Sequence, residues 1–362
     1  MAEIRVELDA YIIPDDHLIW KMFPGSTYKF YDLMRATNLV FLDIRNLDLI
    51  AGPRHPWNDD AILVLLADDR WTREVERAAR NRRPPKGSPD ISSVDKRKLT
   101  FLKGLVFAAK KGDLILLAPD GYRREVLIGE LLDDPGKTVG VAAKDGEFQY
   151  SYLARRVRWL PTREKRFFSR DLIDLLHTEA AFFQISKALY EEVYRIAYKS
   201  YVIGGAFAST FETTKDIFST SDSAVVGMWF NALAAVRDAV ENNKALGDVD
   251  YLKLGLREVE GGELTININS PGEYLLRTGG AFAMVAMAML ALTDVAPEAI
   301  AAGQVKVSLK TVGNADPNCG KPIDKALADY AKTLGIPRLK QHCEIGKRAK
   351  SEATLKTKAR LK

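Results

Sequence analysis

The stretch from Gly112 to Leu131 leaves the chain little choice of local structure. Gly112-Asp-Leu-Ile-Leu-Leu-Ala-Pro119 is a short, nearly continuous apolar run, which reads as a buried strand. Asp120-Gly121 supplies a turn, and Arg124-Glu-Val-Leu-Ile-Gly-Glu-Leu131 returns as a second strand, so 112–131 is predicted to be a hairpin. Further strands are expected over residues 2–9, Asn38–Arg45 and Tyr152–Leu160. Helices are expected over 27–36 and 169–199, the latter from Phe182, Ile185, Leu189, Val193 and Ile196 at helical spacing. Ala61–Ala67 fits a strand or a helix. The charged, proline-bearing stretch Asn81–Ser93 reads as an exposed connection.

The second half alternates differently. A helix is predicted over 222–243, with Val225, Val226, Trp229, Phe230, Leu233 and Val236 as its stripe and Ser221 or Asp222 as its cap. Tyr251–Arg257 and Glu263–Asn269 read as a second hairpin around Gly261-Gly262. A helix rich in Ala and Met (272–292), a strand (Gln304–Lys310) and a helix (322–334) follow. The fold class expected is α+β, an N-terminal β-rich domain with helices followed by a separate mixed α/β C-terminal domain. The boundaries expected are 1–165, a helical connector over 166–212, a mixed α/β domain over 213–337, and a basic tail over 338–362 with frayed last residues.

Composition narrows the function classes. The chain has 362 residues, 47% of them hydrophobic, enough for one or two cores. Two cysteines, Cys319 and Cys343, exclude a disulfide framework and a four-cysteine zinc site. The N-terminus has no apolar signal region, so a cytoplasmic location is expected. The longest apolar run, Gly279–Leu292, is shorter than the ~20 residues of a spanning helix, so no stable membrane insertion is expected. A helix apolar nearly all round sits in a core or a subunit interface, and a homo-oligomer is expected. The net charge is +5, whereas 338–362 holds nine Lys/Arg against two Asp/Glu; the body is therefore not basic.

The order of motifs along 111–173 carries a resemblance. Lys111-Gly-Asp-Leu-Ile-Leu-Leu-Ala-Pro119, Val126-Leu-Ile-Gly-Glu130, Tyr152-Leu-Ala-Arg-Arg-Val-Arg-Trp-Leu160 and Phe168-Ser-Arg-Asp-Leu-Ile173 together resemble PUA-like reader modules of the EVE/YTH type. They most resemble those fused to Mrr-type modification-dependent restriction proteins. Trp20-Lys-Met-Phe-Pro-Gly-Ser26 and Asn38-Leu-Val-Phe-Leu-Asp43 resemble the opening strands of the same module, so the resemblance covers about residues 15–190. It implies a twisted β-barrel that holds a modified base or nucleotide in an aromatic pocket, in a setting of bacterial defence against foreign DNA. An extruded base loses its stacking, and aromatic faces restore about 1–3 kcal/mol of it.

The pocket residues expected are Trp20, Asp43, Trp57, Trp71 and Tyr122, although packing remains an alternative for each aromatic and a turn role for Asp43. Arg155, Arg156, Arg158, Arg163, Lys165 and Arg166 are the expected phosphate contacts, since 155–170 carries seven basic residues and one acid. A non-enzymatic sensor of modified nucleic acid or nucleotide is expected, with no catalytic residue, no metal and no cofactor. A Mg²⁺-requiring nuclease is the alternative, through Gln304-Val-Lys306 with an acid such as Asp294 or Glu298 beside it. An interaction protein without a nucleic-acid role is the third reading. It predicts a barrel lacking an aromatic-lined cleft. Cys319, His342 and Cys343 fit no common zinc spacing.

Overall fold

The computed structural model describes residues 4–52, 55–145, 148–204, 206–215, 219–242, 246, 251–254, 262–267, 273–279, 282–293, 295–313, 322–357 and 359–361. The fold is mixed α/β and includes a curled, half-barrel sheet. It divides into two compact units, Asp16–Ala197 and a second formed by Met1–Asp15 with Tyr198–Lys362. The division at 197/198 lies within the expected connector over 166–212. The first strand, β1 (Ile4–Ile12), belongs with the C-terminal half, because it pairs in parallel with strands 200–203 and 305–311. Local sequence carries no signal for such a long-range pairing.

Within Asp16–Ala197 the elements are β2 (Ile19–Met22), α1 (Tyr31–Thr37), β3 (Leu39–Phe41), α2 (Asp48–Ala51), α3 (Asp59–Arg80) and α4 (Ser93–Lys103). Then come β4 (Leu114–Leu117), β5 (Glu125–Leu131), β6 (Val139–Asp145), β7 (Phe148–Trp159), β8 (Arg163–Glu164), α5 (Arg170–Leu176), β9 (Phe182–Gln184) and α6 (Tyr190–Tyr198). The sheet runs β3-β7-β5-β4-β2-β9, with β6 beside β7 and β8 beside β5. The predicted hairpin is present as antiparallel β4 and β5, register Leu116 opposite Ile128. β7 is long enough to pair with β3, β5 and β6 on successive stretches. The ambiguous Ala61–Ala67 is helical because it lies inside α3, whose start is fixed by Asn58 accepting from the Asp60 and Ala61 amides. α4 opens with a capping box between Ser92 and Asp95. The core of this unit gathers Met22, Phe30, Tyr31, Phe41, Leu66, Leu102, Ile115, Leu127 and Tyr152.

The second unit contains β10 (Ser200–Ile203), β11 (Ala206–Thr213), α7 (Thr220–Glu241), α8 (Tyr251–Leu254), β12 (Gly262–Asn267), β13 (Glu273–Gly279), α9 (Phe282–Ala291), α10 (Pro297–Ala301), β14 (Val305–Thr311), α11 (Pro322–Ser351), β15 (Leu355–Lys356) and β16 (Ala359–Leu361). Its sheet is ordered β12-β13-β11-β10-β1-β14. Two expectations shift here. Tyr251–Leu254 is helical, and the hairpin is made by β12 and β13 instead. The Ala/Met helix begins at Phe282, after β13. Met284–Leu292 is buried throughout within this unit's core, so its all-round apolar surface is satisfied inside one chain. No described helix is long and apolar enough to cross a membrane.

Where it is described, most of the basic tail is helix or strand. α11 breaks at Gly335 (φ 69°), two residues before Pro337, and continues to Ser351. Beyond the break Leu339, His342, Cys343, Ala349 and Leu355 are buried, and β16 pairs antiparallel to β1. Within α11 beyond the break, Lys340, Glu344, Lys347, Arg348 and Lys350 are exposed while Leu339, His342, Cys343 and Ala349 are core.

Candidate functional site

A cavity of about 200 Å³ opens in the Asp16–Ala197 unit, lined by Phe23, Gly25, Ser26, Leu42, Asp43, Ile44, Arg73, Lys98, Phe101 and Ala181. Five segments build it, one of them giving only Ala181, just before β9. Phe23–Ser26 is the turn leaving β2, and Leu42–Ile44 leaves β3. α3 contributes Arg73 and α4 contributes Lys98 and Phe101. Gly25 stands at φ 81°, and a Cβ there would meet Phe30 Cδ2 at 2.9 Å and Asp43 Oδ2 at 3.4 Å, so only glycine fits without displacement. Thr27 and Tyr28 also hold positive φ, at 55° and 57°, which concentrates backbone strain in the loop that borders the cavity.

A network of opposite charges underlies the polar wall. Arg73 Nη2 donates to Asp43 Oδ1 at 2.9 Å while its Nε donates to Asp69 at 2.9 Å. Lys29 bridges Asp43 Oδ2 at 3.0 Å and Asp145 at 2.8 Å. Arg45 joins Asp145 at 2.8 Å to Glu76 at 3.1 Å. Burial pushes the Asp69 carboxyl above its usual range, outweighing the Arg73 guanidinium beside it. Burial acts the same way on Asp145, but the hydrogen bonds from Lys29 and Arg45 prevail and hold it low. Tyr152 is buried against Phe30 and Phe41, and its hydroxyl makes no hydrogen bond among the described residues.

Of the five expected pocket residues, Asp43 lines this cavity. Trp20 is a core residue, stacked on Phe182 at 4.9 Å with its indole N–H donated to Asp113 at 3.0 Å. Trp57 is half-buried, edge-on to Phe107, and donates to Asp59. Trp71 lies half-buried on α3. Tyr122 is exposed beside His177, ring centroids 5.5 Å apart. The aromatic walls are instead Phe23 and Phe101. Phe101 follows Lys98 on α4 by about one helical turn, a spacing indistinguishable in the sequence from ordinary core patterning.

The basic run divides in the same way. Arg155 is fully buried on β7, donating to the Leu105 carbonyl at 2.9 Å, the Ala109 carbonyl at 2.6 Å and the Asp133 carbonyl. It ties loops together and is not available to phosphate. Lys165 is buried too, its ammonium 3.4 Å from the Pro119 carbonyl and near the equally buried Lys21, whose pKa burial and this neighbour lower to about 8. Arg156 and Arg158 expose their guanidinium groups but pair with Asp133 and Glu130. Arg163 and Arg166 flank the exposed ring of Phe167 at 5.3 and 4.6 Å, and Arg166 also pairs with Glu164 at 2.8 Å. These two arginines with Phe167 form the cation–aromatic surface of the run.

In the second unit, Lys306 stands on β14 opposite Arg5, and Glu298 pairs with Lys340 at 2.8 Å. Asp294 and Cys319 lie outside the described residues. Among the described residues no group of three or more His, Cys, Asp or Glu side chains is placed to hold a metal. His342 is a core residue, accepting from Trp229 Nε1 at 3.0 Å, and Cys343 is a buried free thiol. Compared with known proteins, the chain matches no family model, no curated protein and no solved structure.

Proposed function

We propose that the Asp16–Ala197 unit is a PUA-like reader that holds one base, extruded from a nucleic acid, in the cavity between Phe23 and Phe101. The second unit would then serve self-association or an effector, in defence against modified foreign DNA. The observation that carries this reading is the wall chemistry of the cavity. Apolar residues Phe23, Leu42, Ile44, Phe101 and Ala181 line it together with the polar residues Ser26, Asp43, Arg73 and Lys98. Such a combination suits a flat ring with a hydrogen-bonding edge. The volume of about 200 Å³ admits a ring system. Arg163, Arg166 and Phe167 offer a separate exposed surface for the backbone and for unstacked neighbours. An aromatic-lined cavity also favours this reading over an interaction protein with no nucleic-acid role.

The test is binding to matched duplexes, unmodified, cytosine-modified and adenine-modified, across a salt series. Wild type is compared with Phe101→Ala and with Arg163→Gln/Arg166→Gln. Removal of 338–362 is unsuitable as a control, because that segment is core. Preference for one modified duplex is expected, reduced about tenfold by Phe101→Ala through lost stacking. The arginine pair is expected to weaken all duplexes alike and flatten the salt slope. Binding that ignores modification and is unchanged by Phe101→Ala overturns the reading.

A further inference from the structure

Lys98 differs from the other cations around the cavity. Lys29 is held by Asp43 and Asp145, Arg45 by Asp145 and Glu76, and Arg73 by Asp43 and Asp69. Lys98, half-buried on α4, lines the same cavity, and its ammonium makes no hydrogen bond or ion pair among the described residues. Both oxygens of Asp43 already accept from cations, Oδ1 from Arg73 and Oδ2 from Lys29. The cavity wall therefore offers an ammonium group without an acceptor beside a carboxylate already neutralised. Burial lowers the Lys98 pKa. The more distant charges of Asp69, Asp95 and Asp43 raise it, and that of Arg73 adds to the lowering. An ammonium with no acceptor from the protein is open to an anionic ligand, which adds a charge-assisted hydrogen bond there.

We propose that the cavity selects a flat ring carrying an anionic oxygen, specifically a pyrimidine with a ring carboxylate that pairs with Lys98. This rests on the base-reading function above and names the modification. The apolar walls take the ring faces, and the carboxylate reaches the ammonium as a charge-assisted hydrogen-bond acceptor. A methyl group at the same place leaves Lys98 unpaired, and an amino group there sets donor against donor. The preference therefore has a repulsive as well as an attractive part.

The experiment compares oligonucleotides holding a single cytosine, methylcytosine or carboxylcytosine, together with free carboxylcytosine, on wild type, Lys98→Met and Lys98→Arg. Matched thermal melts establish that all three proteins fold. The expected result is a preference of about tenfold for the carboxylated over the methylated oligonucleotide in wild type. Lys98→Met abolishes the preference and Lys98→Arg retains most of it. Equal binding of the two oligonucleotides by wild type, or a preference that survives Lys98→Met, overturns the assignment while the base-reading function stands. Binding of the free base without the oligonucleotide supports the Lys98 pairing and overturns nucleic-acid reading. Binding of none of the probes overturns both.

Discussion

Arg73 and Asp43 meet at 2.9 Å in the wall of the cavity, and the same guanidinium holds Asp69 through its Nε. One α3 side chain thus fixes the carboxylate after β3 and a buried carboxylate one turn earlier on its own helix. Removing it leaves two acids facing one another with reduced compensation. Arg73→Met is expected to destabilise the protein by roughly 2–4 kcal/mol, because carboxylates left unpaired in a part-buried site cost more than the pair itself contributes. Arg73→Lys recovers only part, since a lysine lacks the planar fork that bonds Asp43 through Nη2 and Asp69 through Nε. Urea unfolding of the three proteins checks this, and a loss below about 0.5 kcal/mol in Arg73→Met contradicts it.

Arg155 and Arg156 are adjacent on β7 with opposite fates. Arg155→Leu strands the Leu105, Ala109 and Asp133 carbonyls, each worth about 1–3 kcal/mol when buried without a partner. A fall in thermal stability is expected, with the salt dependence of nucleic-acid binding unchanged in the fraction that folds. Arg156→Gln, whose guanidinium is exposed, is expected to change stability by less than about 1 kcal/mol. Equal melting temperatures for the two variants count against the structural role of Arg155.

Gly25→Ala tests the loop that borders the cavity. The positive φ of 81° and the 2.9 Å approach to Phe30 both oppose a methyl group. A loss of more than about 1 kcal/mol is expected, with weaker ligand binding because the added carbon also crowds Asp43. Thermal unfolding alongside a binding titration separates the two effects.

His342 makes stability depend on pH. Its Nδ1 accepts from Trp229 and its Nε2 lies 3.2 Å from the Met287 carbonyl, so the ring is neutral in the fold. Burial lowers its pKa to about 4 from the ordinary 6.5. The unfolded chain takes up the proton below about pH 6.5 and the folded chain only near pH 4, so stability is greatest above 6.5 and falls as pH drops across that window. The fall attributable to this residue is about 3 kcal/mol. His17, buried between Tyr194 and Gly112, is shifted in the same direction by burial. Melting temperatures from pH 7 to pH 4 are expected to decline less steeply in His342→Gln. Identical slopes count against it.

Much of the secondary structure was legible because it depends on near neighbours. The β4–β5 hairpin follows from two apolar runs around Asp120-Gly121. The Trp229 stripe marks α7, and the break before Pro337 follows from Gly335. Tertiary structure decided what periodicity cannot encode. It placed β1 inside the C-terminal sheet, turned the basic tail into core, and buried Arg155 and Lys165 from a run that local charge alone assigns to the surface. It also chose Phe23, Arg73, Lys98 and Phe101 for the cavity while sending Trp20 into the core. A residue's type and spacing fix which face of its own element it occupies. Which of those faces meet, and whether a pair of them leaves a gap, depends on contacts between segments far apart in the chain.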